Sequence, residues 1–316
     1  MRMVPSLALL GCLGLTAVTG ALASDSFPSR TLTLLIGFNP GGSTDVQAQV
    51  LAEIMAEELD QPVDILHFPG RGGGNAAAML AGSQDGGYVF QYGLSNPFVF
   101  TPLTTATSYD LDSYRFVAGI TLDQAAFVTG PDTPFSTWED MLEFGREQGE
   151  LIYATQNPHD QYVIESIMQG EGVSLRMLPT TGGAGMAPLI INGEAHIAFS
   201  GGTHSAYTDS GEMRILASPT RERLMAYPDV PTLGELGYDM DMHAYRVIAV
   251  PADTPEEHVS RLSAAAKRAT EDQRFIEVTE ERIRMPVTFV DEAKLTRLFA
   301  EQLEQFSKIG EVSQER

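Results

Sequence analysis

The chain is 316 residues long and carries 42 acidic against 20 basic side chains, a formal net charge of −22 at pH 7. A field of that sign repels a phosphate backbone, which excludes nucleic acid as a general partner. Its one cysteine, Cys12, lies in an N-terminal apolar run, so beyond that run disulfides, thiol catalysis and cysteine-held metals are excluded too.

Arg2 precedes an uncharged stretch from Leu7 to Ala23 that ends in Ala21-Leu22-Ala23. This small-x-small pattern predicts a signal peptide over residues 1–23, cleaved after Ala23. The stretch is short and broken by Gly11, Gly14, Thr16, Thr19 and Gly20, which argues against a membrane anchor. Leu9-Leu10-Gly11-Cys12 resembles a lipoprotein cleavage box, but cutting there leaves an apolar segment, 13–23, on the mature protein. The expectation is an exported, periplasmic chain of roughly 290 residues, which suits two α/β domains. No later stretch is long and apolar enough to span a membrane.

Thr31 to Ile36 reads as a buried strand, followed by a helix with Val46, Val50, Leu51, Ile54 and Leu59 on one face. Val63 to Leu66 is the next strand, Ala76 to Leu80 a short helix, and Tyr88 to Tyr92 a third strand. The same alternation restarts at Ala125–Val128 and continues with a helix over Trp138–Gln148. A strand at Leu151–Ala154, a helix from about Asp160 to Gln169 and a strand near Leu175–Leu178 follow. Then come a helix at Met186–Ile191 and strands at Ile197–Phe199 and Arg214–Ala217. A late strand at Arg246–Val250 precedes helices around Glu256–Thr270, Arg274–Ile283 and Glu292–Lys308. Strand–loop–helix alternation predicts mainly parallel sheets faced by helices, and the restart predicts a second domain inserted into the first. Trp138, Phe127 and Phe144 read as core.

Three glycine loops each follow a strand and open a helix: "GFNPGGSTD", "FPGRGGGN" and "TTGGAG". At such a junction several amide N–H groups lack helical partners, and the helix dipole adds partial positive charge. Glycine leaves that backbone bare, so a carboxylate or phosphate can be held without a lysine or arginine. In the first loop Thr44 and Gln47 have the spacing of a capping box, Ser43 adds a hydroxyl, and Asp45 can answer the dipole by itself. Each loop alone is compatible with an ordinary turn; their recurrence favours an anion cleft. In the second loop Asn75 stands where a dinucleotide fingerprint needs its third glycine, and no G-K-[ST] follows. Arg71 is the one nearby fixed cation, as a ligand clamp or a surface residue. Ser43 is not in a G-x-S-x-G setting and no histidine adjoins it in sequence. The six histidines show no metal spacing, and His159 and His204 read as surface or cleft-lining residues.

The ordered set "FNPGGSTD", "FPGRGGGN", "DGGYVF", "PTTGGAG", "NGEAHIAF", "YPDVPTLGELGY" and "AVPADTP" resembles the extracytoplasmic solute-binding proteins of tripartite tricarboxylate transporters, the TctC/Bug family. The resemblance implies a type II periplasmic binding protein fold: two α/β domains joined by two crossover strands around a ligand cleft. It places the first domain at 24–121 plus 246–316 and the second at 122–245, with crossovers near Gly119–Asp123 and His243–Val247. It further implies that backbone amides and ordered water at the first two loops hold a ligand carboxylate. Carried over by position, the ligand-binding residues are Pro40, Gly41, Gly42, Ser43, Thr44 and Asp45, then Gly70, Arg71, Gly72 and Gly73. The opposite wall would be Thr155, Asn157, Asp160, Thr181, Gly182, Gly183 and Ser200. The implied partners are two integral membrane subunits, one small and one large. The implied form is a monomer without cofactor, metal or catalytic residue.

The chain departs from the family pattern where a small N-cap residue is replaced by Asp160, which would oppose a second ligand carboxylate or face a ligand amine or hydroxyl. Thr180-Thr181-Gly182 lacks a cation that relatives carry, Ser200 replaces an aspartate, and Tyr245-Arg246 stands at the usual crossover tryptophan. A mono- or dicarboxylate is therefore favoured over a tricarboxylate. An extracytoplasmic sensor or scaffold would share this fold and ligand class. A periplasmic hydrolase would need a nucleophile–base pair near Ser43 or Ser200.

Overall fold

The computed structural model describes residues 27–314, so the signal peptide and both cleavage expectations lie outside the described residues. In chain order, β1 (Leu32–Ile36) leads to α1 (Ser43–Leu59), β2 (Val63–His67), α2 (Gly74–Ala81) and β3 (Val89–Leu94). Two single turns, α3 (Asn96–Val99) and α4 (Thr101–Thr104), precede β4 (Tyr114–Leu122) and β5 (Ala126–Thr129). There follow α5 (Trp138–Gln148), β6 (Glu150–Thr155), α6 (Pro158–Glu171), β7 (Ser174–Pro179), α7 (Gly183–Ile191) and β8 (Ile197–Ser200). A turn, α8 (Ser205–Thr208), leads to β9 (Arg214–Ala217) and the late strand β10 (Tyr245–Pro251). The chain finishes with α9 (Glu256–Glu271), α10 (Gln273–Ile276), β11 (Val287–Asp291) and α11 (Glu292–Gln314).

These strands form two sheets, ordered β11-β4-β10-β3-β1-β2 and β7-β6-β8-β5-β9. The six-stranded sheet and its helices make a first lobe, and the five-stranded sheet makes a second. Both sheets are mixed rather than mainly parallel. The strand–helix–strand units β1-β2, β1-β3, β6-β7 and β6-β8 pair in parallel. The strands at and next to the crossovers, β4, β5 and β10, pair antiparallel. Strands β4 and β11 were not legible as strands. The body of β4 is buried on both faces and shows no alternation, while β11 is a short, half-buried edge.

Helix α5 shows how local sequence and packing agree. The Thr137 hydroxyl accepts the Asp140 N–H, Gly149 closes the helix with φ 80°, and Trp138, Met141, Leu142 and Gly145 form its buried face. One face of the first sheet packs α1 and α9, and the other packs α2, the α3–α4 turns and α11. The second sheet lies between α5 and α6 on one side and α7 on the other. The segment expected as one helix over Arg274–Ile283 is α10 followed by a wide π turn, Glu277–Arg282. That turn carries Thr279 inward, where its hydroxyl accepts a 2.7 Å bond from Gln47. Between the lobes the two crossovers are tied together by the Asp123 N–H donating to Ala244 O at 2.9 Å.

Candidate functional site

The first glycine loop turns from β1 into α1 with its backbone pressed on the second loop. A Cβ on Gly37 would lie 2.6 Å from Gly73 Cα, so both positions require bare backbone. Helix α1 starts two residues earlier than a Thr44 cap would allow. Gly42 is the N-cap and no side chain caps it, which corrects the expected Thr44–Gln47 capping box. Gln47 instead points into the core, donating to Thr121 Oγ1 at 2.9 Å and accepting from Tyr92 Oη and Arg246 Nη1. Asp45 serves the loop: its carboxylate accepts the Gly41 N–H at 2.8 Å and pairs with His67 Nε2 at 2.6 Å. The N–H groups of Gly42 and Thr44 have no protein acceptor among the described residues.

The third loop faces the first across the cleft. Helix α7 begins at Gly183 after Gly182, again with no side-chain cap. The N–H groups of Gly183 and Ala184 likewise have no protein acceptor among the described residues. A Cβ on Gly42 would lie 3.8 Å from Ala184 N and 4.0 Å from Gly183 N, so two helix N-termini, one per lobe, meet nearly end to end. Two positive dipole ends at that distance repel unless negative charge lies between them. The lobes are held together at the rim, where Asn39 N–H donates to Thr181 O at 3.2 Å and Asn39 Nδ2 to Thr181 Oγ1. Between the helix ends is a cavity of about 10 Å³, lined by Gly42, Ser43, Thr44, Gly183, Gly201 and Thr203 and roofed by Phe38 and Leu94. That is space for about one water, so anything larger requires the lobes to move apart.

The second loop runs through four positive φ values, Gly70 121°, Arg71 50°, Gly72 61° and Gly73 99°. This coil brings Gly72 against Asn157 at the start of α6. The N-terminus of α6 differs from the other two because it is saturated internally. Asn157 Oδ1 accepts the N–H groups of His159 and Asp160, at 2.9 and 3.0 Å. The Asp160 carboxylate accepts from Asn157 N at 2.7 Å, Gln156 N at 2.9 Å and Tyr153 Oη at 2.8 Å. Asp160 is fully buried, and burial pushes its pKa up to about 6 against these donors. It therefore occupies the anion position of its own helix rather than facing the cleft.

Behind the first loop lies a buried cation that position-by-position comparison did not nominate as a ligand residue. Arg246, on β10, is fully buried; its Nε donates to Asp123 at 3.2 Å and its Nη1 to Gln47 at 2.9 Å. Its Nη2 donates to Ser43 Oγ and to Gly201 O in the second lobe, both at 2.8 Å. Ser43 Oγ donates to the same Gly201 carbonyl at 2.7 Å. Arginine and serine thus tie α1, both crossovers and the second lobe together beneath the cavity.

Of the expected residues, Gly42, Ser43, Thr44 and Gly183 line the enclosed cavity, while Arg71, Gly72, Thr155 and Asn157 line a wider one at the cleft mouth. Pro40, Gly41 and Thr181 are exposed on the rim. Gly70, Gly73 and Gly182 shape backbone at φ values that disfavour side chains. Gln156, Phe38, Leu94, Gly201 and Thr203 are lining residues that the sequence did not single out. Ser200 does have a histidine in reach, since His204 Nδ1 lies 3.2 Å from its Oγ. Both are buried, Ser200 Oγ also accepts the His204 N–H, and neither lines either cleft cavity. Burial holds His204 neutral down to about 4, making it a weak base.

His159 joins the lobes at a second point. Its Nδ1 accepts from Asn96 Nδ2 at 3.1 Å, and its ring stacks on Phe100 at 4.2 Å and meets Phe306 edge-on. Burial pushes its pKa down to about 3. The unfolded chain then binds the extra proton below about 6.5, so this contact loses stability as pH falls from there toward 3. Between pH 7 and 5 the native protein should lose about 2 kcal/mol more than His159→Gln, measured by urea unfolding. Parallel loss in both proteins would remove His159 as the source.

Two lobes, two crossovers and a cleft between facing helix ends define a bilobal binding protein. The family model for the tripartite tricarboxylate transporter family receptor, TctC, matches residues 47–314, and the chain belongs to that family. BugT of Bordetella pertussis is 28% identical over 258 residues, covering 75% of this chain and 76% of that protein. The periplasmic binding protein BugD has the same fold, with a TM-score of 0.83, 20% identity and coverage of 91% and 98%. MatC from Rhodopseudomonas palustris with bound malate superposes with a TM-score of 0.81 at 22% identity, covering 90% and 100%. A further R. palustris structure, with adipate, gives 0.82 at 22% identity, covering 91% and 98%.

Proposed function

We propose that the protein captures a small organic carboxylate in the periplasm by closing its lobes around it, then delivers it to two integral membrane subunits. The lobes would be 24–121 plus 246–316 and 122–245, hinged at the crossovers, with the signal peptide removed after Ala23. The observation that carries this is the convergence of the α1 and α7 N-termini on one cavity with unpartnered amides on each side. A carboxylate between them satisfies N–H groups from both lobes and cancels the repulsion of the two dipoles. It contacts both walls only when the lobes close on it, in an arrangement slightly wider than the present one, so its binding energy shifts the open–closed equilibrium. Malate in MatC and adipate in the second R. palustris structure belong to the same ligand class. Donors at contact distance also explain how a chain of charge −22 can hold an anion.

Titration calorimetry against a panel of organic acids should find a micromolar or tighter carboxylate. Gly42→Val should abolish that binding while leaving the fold intact. Gly42 has an ordinary φ of −77° and room for a Cβ, but the two methyl groups would fill the gap between the helix ends. Tight binding that survives this substitution would take the amide cavity out of the mechanism.

A further inference from the structure

Helices α1 and α6 carry the same residue at the same position and end differently. Gly42 and Asn157 are their N-caps, so Asp45 and Asp160 each stand at the third helical position. An acid there can reach back to accept the N-cap N–H, which closes the helix end with the chain's own anion. Asp160 does so: one oxygen accepts both the Gln156 and the Asn157 N–H, and the other takes the Tyr153 hydroxyl. Asp45 accepts the counterpart of the first, the Gly41 N–H at 2.8 Å, but not the second. The Gly42 N–H is left without a protein acceptor among the described residues.

What differs is where the rest of each carboxylate is drawn. Asp160 is held by Tyr153 on β6, the strand that leads into its own helix. Asp45 is drawn sideways to the neighbouring strand, where its Oδ1 lies 2.6 Å from His67 Nε2. Its Oδ2 also accepts from Gln49 Nε2 at 2.9 Å, one turn along α1. His67 is the last residue of β2, beside Ile36 at the end of β1, so it stands where the second glycine loop begins. The Asp45 side chain is 2% exposed, and His67 is its one ion-pair partner among the described residues. A carboxylate that deep needs every donor in reach, so losing one turns it toward the next. The free Gly42 N–H adjoins the Gly41 N–H that Asp45 already holds.

We propose that His67 is a positioning residue for the ligand: by holding Asp45 toward β2, it stops α1 from capping itself and keeps the Gly42 N–H free for a carboxylate from outside. The inference rests on the reading of the amide cavity as a carboxylate site. His67 lines neither cleft cavity, so it acts on the ligand through Asp45. Without it, α1 would end as α6 does, saturated by its own acid.

The test compares His67→Ala, His67→Gln and the double variant His67→Ala with Asp45→Asn against the native protein. In two-dimensional NMR without ligand, the Gly42 amide proton should move downfield in His67→Ala, as a carboxylate acceptor moves it, and stay in place in His67→Gln. Calorimetry uses the straight-chain acids from ethanoate to hexanedioate and follows the tightest of them across the variants. His67→Ala should bind it about tenfold to 100-fold more weakly, the worth of one charge-assisted hydrogen bond. His67→Gln, whose amide also donates to Asp45, should stay within about threefold of native. Asp45→Asn added to His67→Ala should recover most of the loss, because a neutral amide competes weakly for the N–H. If His67→Ala is too unstable to study, His67→Leu keeps the bulk of the ring and carries the same expectations. An unmoved Gly42 proton, native affinity, or a further loss in the double variant overturns the role of His67 and leaves the amide cavity standing. Binding of none of these acids by the native protein, or binding indifferent to Gly42→Val, overturns the amide cavity and this inference with it.

Discussion

Arg246→Met is expected to lower the stability of the protein by about 3–5 kcal/mol, the usual consequence of removing one member of a buried ion pair. Methionine matches the arginine in bulk, so the loss is electrostatic rather than a cavity. It would leave Asp123 buried without its cation, and Gln47, Ser43 and Gly201 without the donor that joins them. Burial already pushes the Asp123 carboxyl above the usual carboxylate range, with Arg246 pulling against it. Without Arg246 the folded protein would bind a proton at Asp123 that the unfolded chain releases near 3.9. The variant is then least impaired at acid pH and loses stability as pH rises through that raised value. Asp123→Asn combined with Arg246→Met should recover a large part of the loss. Urea unfolding of the two single variants and the double variant at pH 5 and 8 measures all three effects. A loss below about 1 kcal/mol, or no coupling in the cycle, would show that the pair is not the tie between the crossovers.

Gly72→Val should weaken ligand binding on the order of 100-fold, roughly 2–3 kcal/mol, with a smaller effect on unfolding. A Cβ on Gly72 would overlap Asn157 Cβ and lie 2.8 Å from Asn157 Cα, so the clash is with backbone across the cleft. The clash exists only when the lobes are together. Separated lobes would feel just the strain of a side chain at φ 61°, about 1–2 kcal/mol. Calorimetry and small-angle scattering of the variant should report weak binding and a molecule more open than the native protein. Unchanged affinity in a folded variant would mean that the loop and α6 need not meet for the ligand to be held.

Much of the fold was readable because local physics agrees with the final structure over long stretches. Helix α5 and strand β9 fall where their sequences predict, and in α5 the capping residue, burial period and flanking glycine all point the same way. The Glu277–Arg282 turn was misread because helical periodicity cannot reveal the extra residue of a π turn. Strand β4 was missed because burial on both faces removes alternation, and its neighbours β10 and β11 arrive from more than a hundred residues away. Among site residues, the glycine loops were legible because bare backbone before a helix is a local signature. Asp160 was misjudged because its sequence position, at a helix start, fits an exposed cleft carboxylate as well as a buried cap.

The sequence by itself determined that three helices begin at glycine-rich turns, that the chain is strongly acidic, and that an anion would have to be held by amides. These are properties of single segments and of composition, and no partner is needed to produce them. Only the tertiary structure decided which helix ends face each other. It set α1 against α7 with their amides unpartnered, closed the α6 end with its own Asp160, and sank Arg246 behind Ser43. The Asp160 cap is local, but the other two pairings bring together residues more than a hundred positions apart, and their charges and orphaned donors acquire meaning only when the two lobes enclose the same space.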